Sequence, residues 1–147
     1  EYFMRKSKGN WVASRRDVWD LDYTLSPIIY AGLVKFKETI TNSQFSGVPS
    51  SFIKGPAITD ADVKEWHSVI DKMIYAFDKT NMPDIRDFKF KIEMERKETK
   101  TNGSTQIFLK CDNEEERERY YDALEEHNKK CEEGRVLFAK YYENLWY

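Results

Sequence analysis

Apolar residues return at helical spacing in three stretches of this chain and at alternate positions in a fourth. Val18, Leu21, Leu25, Ile28, Ile29, Leu33, Phe36 and Ile40 form the first run. Ser14 followed by Asp17 reads as a capping box ahead of it, which predicts a helix over 14–40. Pro27 lies inside this run; it has no backbone donor and crowds the preceding turn, so a kink or break is predicted near residue 26. In the second run Val63, Trp66, Ile70, Met73, Ile74 and Phe77 share one face. Thr59 stands as its N-cap with Asp62 at the third position, and Ile58 is placed to staple onto Val63; a helix is predicted over 59–79, ahead of Pro83. The third run is Tyr120, Leu124, His127, Cys131, Phe138, Tyr141 and Leu145. With Asp112 and Glu115 as its capping box it predicts a long helix over 112–146. Gly134 falls near that line and marks either a break or a close approach of a second helix.

Between the second and third helices the period changes to two. Phe88, Phe90, Ile92 and Met94 alternate with Lys89, Lys91 and Glu93, and Asn102-Gly103 is a strong hairpin signal. Pairing Thr101 with Ser104 sets Met94 opposite Cys111 and Arg96 opposite Leu109, and puts Ile107, Leu109 and Cys111 on the face of Ile92 and Met94. A lone hairpin is marginal in water, so this face is expected to lie on the helices or on another chain. The segment 41–58 is a long loop rich in Ser, Gly and Pro that carries Phe45, Phe52 and Ile53, a composition suited to recognition. The fold class that follows is mainly α: a three-helix bundle with a long C-terminal helix and a β-hairpin, at about 87–111, inserted between helices 2 and 3. It is expected as a single domain over 1–147, led by a basic arm at 1–13.

Aromatic residues make up 15% of the chain, too many for a disordered segment, which lacks the ring surface to offset chain entropy. The net charge of -2 gives no general pull toward nucleic acid or anionic lipid. No apolar run reaches the length of a membrane span and no signal-peptide pattern is read at the start; the first residue, Glu1 instead of Met, leaves room for residues ahead of it. Cys111 and Cys131 form no CxxC motif, which favours a reducing compartment, the cytoplasm by default. Charge is unevenly spread: Arg5, Lys6, Lys8, Arg15 and Arg16 crowd the first residues, while acids dominate 112–133. Two solvated faces explain this most simply, and attraction between arm and helix is the alternative.

Candidate chemistry is sparse. Di-iron bundles need Glu-x-x-His on two helices, and the residues three before His67 and His127 are Lys64 and Leu124. His127 and Cys131 have a metal-ligand spacing, but both lie on the apolar line, and Cys111 would be on the order of 30 Å away along a continuous helix, so core packing is preferred. No nucleophile elbow, phosphate loop or dinucleotide fingerprint occurs. Asp22 lies close to the apolar face beside Trp19 and needs a partner; an ion pair or cap is preferred over a catalytic acid. The segment from Phe3 to Arg16 interleaves rings with cations. Arginines beside a tryptophan at a helix start suit a phosphate or nucleotide, and a basic arm docked on an acidic surface is the alternative. The candidate ligand-binding residues are Trp11, Arg15, Arg16, Trp19 and Asp22. At the C-terminal end Phe138, Tyr141 and Leu145 continue the core line. Tyr142 and Trp146 could seal against the first helix around Trp19, or, with Tyr147, offer a contact surface; the candidate interface residues are Phe45, Phe52, Tyr142 and Trp146. No catalytic residue, metal site or cofactor is predicted.

The segments "RRDVWDLDYTL", "KFKE", "EWHSVIDKMIYAF" and "EGRVLFAKYYENLWY" resemble a group of small helical proteins carried by tailed bacteriophages. The shared pattern is D-x-W-x-L-D at Asp17–Asp22, G-x-P-S at Gly47–Ser50, W-x-x-x-x-D-K-M-I-x-x-F at Trp66–Phe77 and G-x-x-L-F-x-K-Y-x-x-x-L-W at Gly134–Trp146. The hairpin stretch, 87–111, looks like an insertion that many of those proteins lack. The resemblance implies a phage origin and action in the cytoplasm of the infected bacterial host or in the virion; it supplies no catalytic residue. The reading that follows is a non-catalytic, phage-encoded binding protein that sequesters or inhibits a host defence component, either a nucleotide-type signal or an immune protein, as a homo-oligomer. A virion or assembly component is the alternative, and an enzyme with an unrecognised site is the second. Nucleic acid and membrane are not expected partners.

Overall fold

The structure, a computed structural model, describes residues 5–42, 47–98, 103 and 105–146. The regular elements run β1 (Arg5–Ser7), β2 (Asn10–Val12), α1 (Leu21–Asn42), α2 (Asp60–Phe77), β3 (Ile92–Glu98), β4 (Thr105–Cys111) and α3 (Glu114–Tyr141), with short 3-10 turns between and after them. They divide into two compact units. One comprises Glu1–Asn81 with Lys129–Tyr147, the other Met82–Asn128.

In the first unit α1, α2 and the C-terminal part of α3 enclose the core. Thr59 and Asp62 form the expected box at the start of α2: Asp62 N donates to Thr59 Oγ1 at 3.3 Å, while Asp62 Oδ2 accepts from Thr59 N at 2.9 Å and Thr59 Oγ1 at 2.7 Å. The Thr59 hydroxyl, and then its backbone N–H, hold the Asp62 carboxyl below its ordinary range. Because Asp62 is buried, Thr59→Ala should cost more than loss of a bare cap, about 1–2 kcal/mol, read as a lowered urea midpoint at unchanged slope. Ile58 stays half exposed.

Trp66, Ile70 and Met73 have no exposed surface and sit with Leu33, Ile40 and Phe52 at the centre. The rings of Phe52, Trp66 and Tyr141 meet pairwise at centroid distances of 5.2, 5.3 and 5.5 Å, tilted or edge-on as ring quadrupoles prefer. Phe77 meets Phe138 edge-on at 5.0 Å, and Leu145 packs on the same cluster. The C-terminal segment is therefore tied down through Phe138, Tyr141 and Leu145. Gly134 resolves as a close approach and not a break, since α3 runs through it and a Cβ there would lie 2.2 Å from the Lys72 carbonyl oxygen and 2.5 Å from Ala76 Cβ.

Three expectations for this unit are corrected. The first α-helix begins at Leu21 and not at Ser14. The Ser14–Asp17 box forms, but turns closed by Asp17 N to Ser14 O and Trp19 N to Arg16 O fill 15–20, and Thr24 N to Asp20 O (3.1 Å) is the first helical bond. Helices in proteins persist mostly by packing an apolar face, and Val18 (51% exposed) and Trp19 (85%) pack little. Of the kink or break predicted near residue 26, the break does not occur: α1 is continuous through Pro27, which stands early in the helix and forfeits one backbone bond. Phe52, expected at an interface, is core, because the loop folds a 3-10 turn over Ser50–Phe52 that drives the ring onto Trp66 and Tyr141. Gly47 supports that path with a left-handed φ of 55°, and a Cβ there would lie 3.0 Å from Ile40 Cγ2 and 3.2 Å from the Trp146 carbonyl oxygen. Phe45 and Tyr147 lie outside the described residues.

The arm at 1–13 contains a small hairpin that pattern alone did not show. β1 pairs antiparallel with β2, Lys6 opposite Trp11, through Lys8-Gly9, both with positive φ (49° and 85°), as a two-residue hairpin turn requires. Three-residue strands are too short for an alternation to stand out.

The second unit holds β3, β4 and the N-terminal part of α3. The hairpin forms, but Met94 lies opposite Leu109, Arg96 opposite Ile107 and Ile92 opposite Cys111, two residues away from the expected register. An even slip keeps every side chain on its predicted face. Thr101, Asn102 and Ser104, on which the expected register rested, lie outside the described residues. Asn113 and not Asp112 caps α3, its Oδ1 accepting from Glu116 N at 3.2 Å. Asp112 instead accepts from Lys91 N at 2.6 Å, and Glu116 from Lys89 N at 3.1 Å, so both acids fasten the chain entering β3. Phe88 and Phe90 close on Tyr120 at 5.3 and 5.9 Å. The apolar face of the hairpin itself is not covered: Met94, Leu109 and Ile107 are exposed by 69, 67 and 59%.

Candidate functional site

The turn segment 15–20, ahead of α1, carries the candidate site. Arg15, Arg16, Trp19 and Asp20 line one open groove of about 480 Å³. The turns that hold them are anchored by Asp17. Asp17 is buried, and the Ser14 backbone N–H, then its hydroxyl, hold its carboxyl below the ordinary range; its Oδ1 is buried without a hydrogen-bond partner. An indole as exposed as that of Trp19 adds nothing to the core, so its surface is available for stacking.

Three of the five candidate ligand residues thus come together: Arg15, Arg16 and Trp19. Asp22 does not join them. Its Oδ2 pairs with Lys79 Nζ at 2.8 Å, and that hydrogen bond is the main cause holding its carboxyl below the ordinary range. Lys79 also stands 4.5 Å from the Tyr23 ring centroid. The ion pair expected for Asp22 is therefore present, with the carboxylate itself exposed. The side chain of Trp11 lies outside what is described. Asp20, singled out in the sequence together with Asp22 but not among the five ligand candidates, also borders the groove.

Tyr142 and Trp146 are exposed by 65 and 68%. The seal around Trp19 does not form, since all three rings remain open to solvent. Tyr142 does touch Phe138, at 5.6 Å.

His67 is a titratable group partly withdrawn from water. Its Nε2 is buried without a hydrogen-bond partner, and burial, then the Lys37 charge, push its pKa down against the opposing pull of Asp71. Lys37 and Asp71 are themselves paired. A histidine whose pKa is depressed on folding contributes stability above its unfolded value, about 6.5, and loses it as pH falls toward the folded value. The melting temperature is therefore expected to drop as pH falls below about 6.5, and His67→Gln should flatten that step.

Among the described residues no three His, Cys, Asp or Glu side chains converge, and no helix is long and apolar enough to cross a membrane. Compared with protein-family models, curated proteins and solved structures, the chain shows no significant match.

Proposed function

We propose that this protein is a non-catalytic, phage-encoded binding protein that sequesters a nucleotide-type signal of the host's defence in the groove of Arg15, Arg16 and Trp19. The observation that carries the reading is the placement of two guanidinium groups and an exposed indole around one groove. Guanidinium groups match phosphate oxygens in pairs, and an indole face accepts a base by stacking, so the chemistry suits a phosphate joined to a ring. Asp20 at the rim would accept from a ribose hydroxyl or a base amine, and it discriminates against ligands that are anionic throughout.

The test is calorimetric titration and native mass spectrometry with a panel of mono-, di- and cyclic nucleotides. Wild type should retain a ligand, and Arg15→Glu with Arg16→Glu should weaken binding at least about a hundredfold while the circular dichroism spectrum is unchanged. Unchanged affinity in that variant would overturn the site. Product formed from the panel at substoichiometric protein would favour an enzyme, and recovery of the protein in purified particles a virion component.

Exposure of Tyr142 and Trp146 favours a second reading, capture of a host immune protein. That version expects a stable complex with one host protein, lost in Trp146→Ala and indifferent to the two arginines.

A further inference from the structure

β4 reads Thr-Gln-Ile-Phe-Leu-Lys-Cys and is the outer strand of a two-stranded sheet. Its residues from Thr105 to Lys110 are all exposed, and its backbone bonds with β3 on one side only. Exposed edges of this kind are normally blunted by charge, proline or a bulge. β3 is blunted: Glu93, Glu95, Arg96, Lys97 and Glu98 leave it few neutral positions. β4 has Lys110 alone, with no proline and no glycine, and it combines branched and aromatic side chains.

We infer that the β4 edge pairs antiparallel with β4 of a second copy of this chain, about a two-fold axis at Phe108, to give a four-stranded sheet. Phe108 is the midpoint of the seven-residue strand, so this register alone pairs it along its whole length. Across the axis Phe108 faces Phe108 of the second copy, Ile107 faces Leu109, and Gln106 faces Lys110. No like charges meet. The same operation on β3 would set Glu95 directly against Glu95 of the second copy, a destabilising pair. The charge pattern therefore selects β4 over β3.

The apolar face gives the pairing its gain. Two strands alone are marginal, while three or more with a shared apolar face hold together. Met94 lies opposite Leu109, and Leu109 would lie opposite Ile107 of the second copy, so three apolar side chains abut in a row that is now broken off at the edge. A single strand pair falls at the small end of interface size, below about 1,200 Å², so the association is expected in the micromolar range. It is independent of any ligand at the Arg15–Arg16–Trp19 groove.

The test uses the full chain in sedimentation velocity and native mass spectrometry from ~1 to ~100 µM. Wild type should pass from monomer to dimer across that range. Phe108→Lys and Phe108→Glu, each alone, place like charges on the axis and should remain monomeric, with far-ultraviolet circular dichroism as the folding control. Mixed one to one, the two variants should form a heterodimer, because residue 108 faces its own counterpart. Glu95→Lys, on the other edge, should dimerise as wild type. A wild type that stays monomeric over the range overturns the proposal, even if a host protein then binds the strand. So does a dimer that survives Phe108→Lys, or a charge-swapped mixture that fails to associate.

Discussion

Gly134→Ala is expected to be among the most damaging single-atom-scale changes in this protein, costing about 3 kcal/mol although alanine is the better helix former. The added methyl group would stand 2.2 Å from the Lys72 carbonyl oxygen and 2.5 Å from Ala76 Cβ. Backbone cannot rotate aside as a side-chain tip can, so α2 and α3 must separate along the contact that closes the core. Overpacking of this kind costs roughly 1–3 kcal/mol and more where backbone is involved, against a propensity gain of about 1 kcal/mol. Gly32, in α1, provides the control: a Cβ there meets nothing within 4 Å, and Gly32→Ala should leave stability unchanged or raise it by up to about 1 kcal/mol. Urea denaturation followed by circular dichroism reads both. A Gly134→Ala midpoint at or above wild type would show that the helices do not meet there.

Trp66→Ala should cost about 3–5 kcal/mol and leave the first unit close to its unfolding threshold. The indole has no exposed surface and joins Phe52, from the loop, to Tyr141, at the end of α3. Removing it opens a cavity where those separate segments meet, and two ring contacts go with it. Trp66→Phe separates shape from polarity. The indole Nε1 is buried without a hydrogen-bond partner, so phenylalanine relieves that penalty while keeping part of the ring, and should cost less than half as much as alanine. Equal losses for the two substitutions would mean that ring packing is not what Trp66 supplies.

Legibility of the fold tracked how local the determining interactions are. α2 could be read from its cap to its last apolar residue, because Thr59, Asp62 and the face of Trp66, Ile70 and Met73 act within one helix. The start of α1 could not. Ser14 and Asp17 make the box that a helix start makes, yet helix propagation depends on packing partners for Val18 and Trp19 that the fold does not offer. The same holds at α3, where Asp112 and Asn113 are equally good caps on paper. Lys91 N takes Asp112, and Asn113 is left to hold the helix. Phe52 looked like a recognition residue because it sits in a loop; only the turn over Ser50–Phe52 sends it inward. Of the candidate site, arginine and tryptophan chemistry was visible in sequence order. The groove that they line together with Asp20 was not, since it depends on the folded turns.

By itself, the order of residues determined the helical class, the alternation that makes a hairpin between α2 and α3, and the face on which each hairpin side chain lies. These follow from periodicity, which is a property of the chain. Tertiary structure decided which end of each pattern is used, that Gly134 is a contact and not a break, and that the hairpin's apolar face stays open while Phe52 does not. Those outcomes turn on which surfaces find partners across space. Burial, unlike period, belongs to the assembled fold and not to any one segment.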